Sequence, residues 1–168
     1  MRAERFTGTV TRTLVASLLG VALLGGCSAT IPTDPEGTLD RVTGGTLRVG
    51  VSPNPPWTDL PEGTGAEPEG IEPDLVRDFA ETIDADVEWT AGGEEDLMGR
   101  LEDRELDLVV GGLTARSPWS SHVALTYRYL ETVAADGQKE LRVMAAPMGE
   151  NAFLVELERF LLTTEVRP

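Results

Sequence analysis

Between residues 46 and 110 the chain alternates between two hydrophobic periods, and this alternation constrains the fold more than any other feature. Thr46-Leu47-Arg48-Val49-Gly50-Val51 has the period of two and the β-branched content of a strand. The prolines of Ser52-Pro53-Asn54-Pro55-Pro56-Trp57 end it, because they fix the backbone and remove amide donors. After a polar Gly/Pro/Glu loop over 59–70, Pro73 suits a first helical turn, and a helix follows over 74–83 with Leu75, Val76, Phe79 and Ile83 on one face. Asp86 to Thr90 reads as a second strand. A helix over 94–104 carries Leu97, Met98 and Leu101 as its stripe. Leu106 to Val110 is apolar enough to be a central third strand. Strand–helix–strand–helix–strand predicts an α/β fold: mostly parallel strands, right-handed crossovers and helices on both faces, in a three-layer lobe. In open sheets of this kind ligands bind beyond the carboxyl ends of the strands. Two segments lie there, Ser52–Trp57 and Gly111–Trp119, and they must share one concavity for that reading to hold.

Beyond them, 123–129 and 141–146 read as further strands separated by a polar turn over 134–140. A last helix over 152–162 turns Phe153, Leu154, Leu157, Phe160 and Leu161 inward.

The amino terminus carries a different signal. Arg2, Arg5 and Arg12 precede an apolar run, Leu14 to Leu24, too short to span a bilayer permanently, and then small residues and the single cysteine, Cys27. This order is that of a secretory signal with a processing site. Leu24-Gly25-Gly26-Cys27 resembles the lipobox of bacterial lipoproteins, which implies cleavage before Cys27 and a lipid on its thiol. The alternative is an ordinary signal peptide with an incidental cysteine. The expected organisation is a signal peptide over 1–26, a flexible Thr/Pro/Gly/Asp tether over 27–45 and one lobe over 46–168, held outside the cytoplasm by its lipid.

Composition narrows the partners. Of 168 residues, removing 26 leaves 142, enough for one domain with a core. One cysteine excludes a disulfide framework. The net charge is −15, and the first 26 residues hold three arginines and one glutamate, so the remainder carries −17. Such a surface repels nucleic acid and anionic headgroups. His122 is the only histidine, and no metal-ligand spacing, Ser-His-Asp pattern or phosphate-binding glycine loop is present. No cofactor, metal or catalytic activity is expected.

As a series, several segments resemble the solute-binding proteins of ABC transporters, family 3: the first strand, Pro55-Pro56-Trp57, Gly70-Ile71-Glu72-Pro73-Asp74-Leu75, Leu106 to Thr114, and Leu125-Thr126-Tyr127-Arg128-Tyr129. The resemblance implies two lobes that close over a solute, usually a polar amino acid, and delivery to a membrane permease. Here roughly a hundred residues of second lobe, the usual size of such a unit, are missing after Tyr129. About a dozen residues lead instead to segments like those that complete lobe one. The resemblance therefore implies a single lobe with an open shelf, on which binding is weak unless a second copy supplies the missing wall. The alternative is a lobe that has lost its ligand and binds a membrane protein through the exposed face.

The resemblance and the loop positions nominate Asn54, Trp57, Gly111, Gly112, Thr114, Arg116 and Trp119 as ligand-binding residues. Trp57 could stack on a ligand or lid the core edge. Gly111 and Gly112 could open backbone N–H groups to it or make a tight turn. Thr114 could donate its hydroxyl or cap a short helix from Ser117. Trp119 stands where the family commonly has an arginine for the ligand carboxylate, and Arg116, three residues earlier, would reach that spot only by another loop path. Glu72 and Asp74 read as acidic residues favoured by a helix dipole.

Overall fold

A computed structural model describes residues 33–61, 67–134 and 136–166. The expected signal peptide, Cys27 and the first residues of the expected tether lie outside them. Among the described residues no helix is long and apolar enough to cross a membrane.

The central sheet runs, edge to edge, through β2 (Asp86–Ala91), β1 (Thr46–Val51), β3 (Leu108–Val110), β7 (Ala145–Ala146) and β4 (Ala124–Leu125). Strand β1 pairs in parallel with β2 on one side and β3 on the other. Strand β7 runs antiparallel to β3 and to the edge strand β4. Helix α2 (Ile71–Thr82) connects β1 to β2, and α3 (Glu94–Glu102) connects β2 to β3. The expected mixed, mostly parallel α/β lobe is thus present.

Alternation along the strands sorts the core into two layers. Leu47, Val49 and Val51 of β1 and Leu108 and Val110 of β3 face α2 and α4 (Asn151–Thr163), where Phe79 meets Phe153 edge-on at 6.1 Å. Val109 faces the other way, onto Leu97, Met98 and Leu101 of α3. Helix α2 begins at Ile71, earlier than the periodicity indicates, so Pro73 lies within its first turn, where missing amides cost nothing.

Three expectations need correction. The stretch read as a flexible tether is ordered from Thr33 onward and contains α1 (Thr38–Val42). Two carboxylates fix it, one inside the stretch and one at the start of the last helix. Asp34 accepts the amides of Leu39 (2.8 Å), Ala152 (2.6 Å) and Phe153 (3.1 Å), capping α1 and α4 together. Glu150 accepts those of Glu36 (3.2 Å) and Thr38 (3.1 Å) and pairs with Arg104 at 3.2 Å. The segment 123–129 is not one strand: β4 is two residues long, and β5 (Leu130–Val133) begins after Tyr129. Likewise 141–146 divides into β6 (Lys139–Arg142) and β7, because the chain leaves one sheet for another at Val143 and Met144. Strands β5 and β6 form a separate antiparallel hairpin closed by a turn in which Ala134 N–H reaches Gln138 O at 2.8 Å. This hairpin occupies the place in the chain where the resemblance implies a second lobe.

Candidate functional site

The two loops at the carboxyl ends of β1 and β3 do meet. Asn54 Nδ2 donates to Gly111 O at 2.8 Å. Gly112, at φ +65°, lies so close to the first loop that a Cβ there would come within 2.5 Å of Asn54 Nδ2 and 2.6 Å of Trp57 Cδ1. Glycine is required at Gly112 by conformation and by space. Gly70, at φ +118°, plays the matching part at the start of α2, where a Cβ would lie 2.7 Å from Trp57 O. The Ser52–Trp57 loop after β1 (loop one), the Gly111–Trp119 loop after β3 (loop three) and the first turn of α2 therefore form one surface above the strand tips.

A carboxylate beneath that surface organises it. Glu72 is fully buried; its Oε2 accepts the amides of Gly111 and Gly112, both at 2.8 Å, and its Oε1 accepts the Tyr129 hydroxyl. Burial pushes the Glu72 pKa above the ordinary carboxylate range; the amides of Gly112 and Gly111, the Tyr129 hydroxyl and the nearby Arg142 charge offset this only in part. Burial and the facing carboxylate raise Tyr129 far above a normal phenol. From sequence alone Glu72 is expected only as a dipole-favoured helix start, and the structure corrects this. The signal was present: Glu72 stands three, four and seven residues before Leu75, Val76 and Phe79, inside the apolar stripe rather than beside it. Asp74, read the same way, is exposed and pairs with Arg77 at 3.0 Å.

Arg142, at the end of β6, is a second residue the sequence reading did not single out. Its guanidinium lies over the Trp57 ring, 4.3 Å from the centroid. Nη1 donates to Gly112 O at 2.7 Å, Nη2 pairs with Glu140, and Nε donates to Thr132 Oγ1 at 3.3 Å.

The remaining nominated residues surround this centre. Thr114 is half-buried and bridges Arg142 across to β6. The bonds of that bridge run from Ala115 to Leu141 and from Val143 to Leu113, which leaves the Thr114 amide directed away from β6. Ser117, not Thr114, caps the short 3₁₀ turn Pro118–Ser121, accepting from Trp119 N–H. Arg116 is exposed and turns to the hairpin, donating to Gln138 Oε1 (2.9 Å) and Lys139 O (2.8 Å). Trp119 packs against the α3 layer and donates its indole N–H to Glu94 Oε1 at 2.8 Å. Asn54, Trp57, Gly111, Gly112 and Thr114 are thus brought together, while Arg116 and Trp119 are directed to neighbouring elements. Among the described residues no cluster of metal-ligating side chains occurs.

An α/β lobe of strand order β2-β1-β3 followed by antiparallel β7 and β4, with its loops converging above the parallel strand tips, is the architecture of a single lobe of a periplasmic binding protein. The chain belongs to the bacterial extracellular solute-binding proteins, family 3, whose model matches residues 47–162. Among solved structures it is similar to a mutant of the arginine-bound form of domain 1 from TmArgBP, with TM-score 0.64 at 21% identity, covering 73% of this chain and 95% of that one. It is also similar to an ancestral amino acid-binding protein described as a precursor of cyclohexadienyl dehydratase (TM-score 0.63, 14% identity, 74% and 92% covered). A third is an arginine-specific periplasmic binding protein of Salmonella typhimurium (TM-score 0.59, 11% identity, 69% and 91% covered). At these identities the likeness speaks for the fold. No curated protein sequence matches the chain.

Proposed function

We propose that this chain is a lipid-anchored, extracytoplasmic solute-binding module that works with an ABC-type permease and takes a small polar solute, such as an amino acid, on the open shelf formed by loops one and three. The convergence of Asn54 and Trp57 with Gly111, Gly112 and Thr114 is the observation that carries this reading. The arginine-bound form of domain 1 from TmArgBP is a precedent for a ligand on one lobe of a relative. The anchor is the diacylglyceryl group expected on Cys27. A single lobe leaves one side of the ligand in water, so polar contacts gain little and affinity is low. Calorimetry of the soluble domain with an amino-acid panel should give Kd values in the millimolar range, about −4 kcal/mol. Micromolar binding by a proven monomer would contradict the single-wall account, and micromolar binding by a dimer would assign the second wall to another copy.

A second reading is a ligand-free lipoprotein that docks a membrane protein through the same face. One observation favours it: the Gly111 and Gly112 amides, the Asn54 amide, the Arg116 guanidinium and the Trp119 indole N–H already have partners within the chain. A silent solute panel, together with crosslinking of shelf residues to a membrane protein in cells, would decide for it.

A further inference from the structure

Gly112 is held from both sides by ionisable side chains of the chain itself. Its amide is taken by the Glu72 carboxylate and its carbonyl by the Arg142 guanidinium. The surroundings of Arg142 are those a free guanidinium compound would need for specific recognition: an indole plane, a backbone carbonyl, a carboxylate and a hydroxyl, from Trp57, Gly112, Glu140 and Thr132. The side chain is only 11% exposed. Trp57 itself is 7% exposed, with Arg142 over its ring and Gly112 against its pyrrole edge, so no face of the indole is open to a solute.

We propose that Arg142 is a built-in occupant of the cation position of this shelf. The solute taken by the unaltered chain then has no cationic side chain and is a neutral or acidic small molecule, and truncating Arg142 opens a site for guanidinium compounds. This rests on the reading of the shelf as a solute-binding site and narrows its ligand class. A second cation cannot stack on Trp57 while Arg142 is there, since it would meet both an occupied ring and a like charge. Displacing Arg142 requires the indole contact, two hydrogen bonds and the Glu140 pair to break together.

The experiment compares the unaltered soluble domain with Arg142→Ala, using methylguanidinium, methylammonium and sodium chloride in calorimetry and thermal shift. Methylguanidinium should bind Arg142→Ala saturably and at least tenfold more tightly than the unaltered chain, and should raise the variant's Tm, while the other two salts do neither. Adding Trp57→Leu should abolish the gain. If Arg142→Ala does not fold alone, methylguanidinium should restore its far-ultraviolet dichroism where methylammonium does not. Equal binding to both chains, or neither gain nor rescue, overturns the proposal. So does binding of free arginine or lysine at the shelf of the unaltered chain, an outcome that leaves the solute-binding reading intact. Silence of the unaltered chain towards glutamine, serine and glutamate, with the methylguanidinium gain present, instead removes the solute-binding reading and keeps the assignment of Arg142.

Discussion

Asp107, at the amino ends of the parallel strands, and Glu72, near their carboxyl ends, are both buried carboxylates that accept several hydrogen bonds, yet their protonation is driven in opposite directions. Asp107 receives the Arg48 amide (2.9 Å), Arg48 Nε (3.0 Å) and Nη2 (2.7 Å), and both terminal nitrogens of Arg41. Burial pushes its pKa up, but the two guanidinium groups outweigh this and hold it below the ordinary carboxylate range. Glu72 has three donors of its own, all neutral, and burial prevails. Four of the five donors to Asp107 are guanidinium nitrogens, and it is this positive charge, absent from the donors to Glu72, that offsets burial at Asp107. The amino end is thus built as a charge-compensated clamp, and the shelf end as a neutral-donor cradle.

Substitutions can break this contrast. Glu72→Ala should have the largest effect, because it orphans the Gly111 and Gly112 amides and the Tyr129 hydroxyl at once. At about 1–3 kcal/mol per unsatisfied buried group, with partial relaxation, a loss of about 4 kcal/mol in urea unfolding is expected. Glu72→Gln should cost less and give the sign of the titration. With its folded pKa raised, Glu72 contributes most below the ordinary carboxylate range, and that contribution fades as pH rises through the folded value. The Gln variant should lose this decline. A stability profile unchanged by Glu72→Gln would show that Glu72 is not the source.

Asp107→Asn comes next, at about 2 kcal/mol, less than for a fully buried pair because Arg41 and Arg48 keep 43% and 32% of their side chains in water. Its pH signature has the opposite sign. A depressed folded pKa means that stabilisation is complete above the unfolded value and is lost as pH falls through the folded one, so Asp107→Asn should flatten the acid limb. The smallest effect is expected from Asn54→Ala, which removes one loop-to-loop hydrogen bond at an exposed position, about 1 kcal/mol by thermal unfolding. A larger loss would mean that Asn54 holds the whole cradle and not one edge of it.

The layers of the lobe were legible in the sequence because each element carries its own period: Leu47, Val49 and Val51 on β1, and Leu75, Val76 and Phe79 on α2, declare a face without help from elsewhere. Whatever depends on distant partners was not. The contacts that fasten α1 to α4 run from Asp34 to Ala152 and Phe153 and from Glu150 to Glu36 and Thr38, each across more than a hundred residues, and only the Asp34–Leu39 contact is local. The division between β6 and β7 leaves no local mark, since Val143 to Ala146 stays apolar across it. At the site, the loops and their glycines were found from chain position, and Trp57 from its proline context. Arg142 was missed because nothing near it in sequence says that it ends above Trp57, and Glu72 because its charge drew attention away from its place in the apolar stripe.

The clasp formed by Asp34 and Glu150 also fixes a load path. Residues 33–38 are fastened where β7 hands over to α4, at the pole beneath the sheet and opposite the strand-tip loops. A pull on residues 33–38 would load the first turn of α4 and the Arg104–Glu150 pair before Asn54 or Gly112. In the proposed lipid-anchored protein, a pull from the membrane side should therefore leave the shelf's shape untouched until the clasp itself gives way.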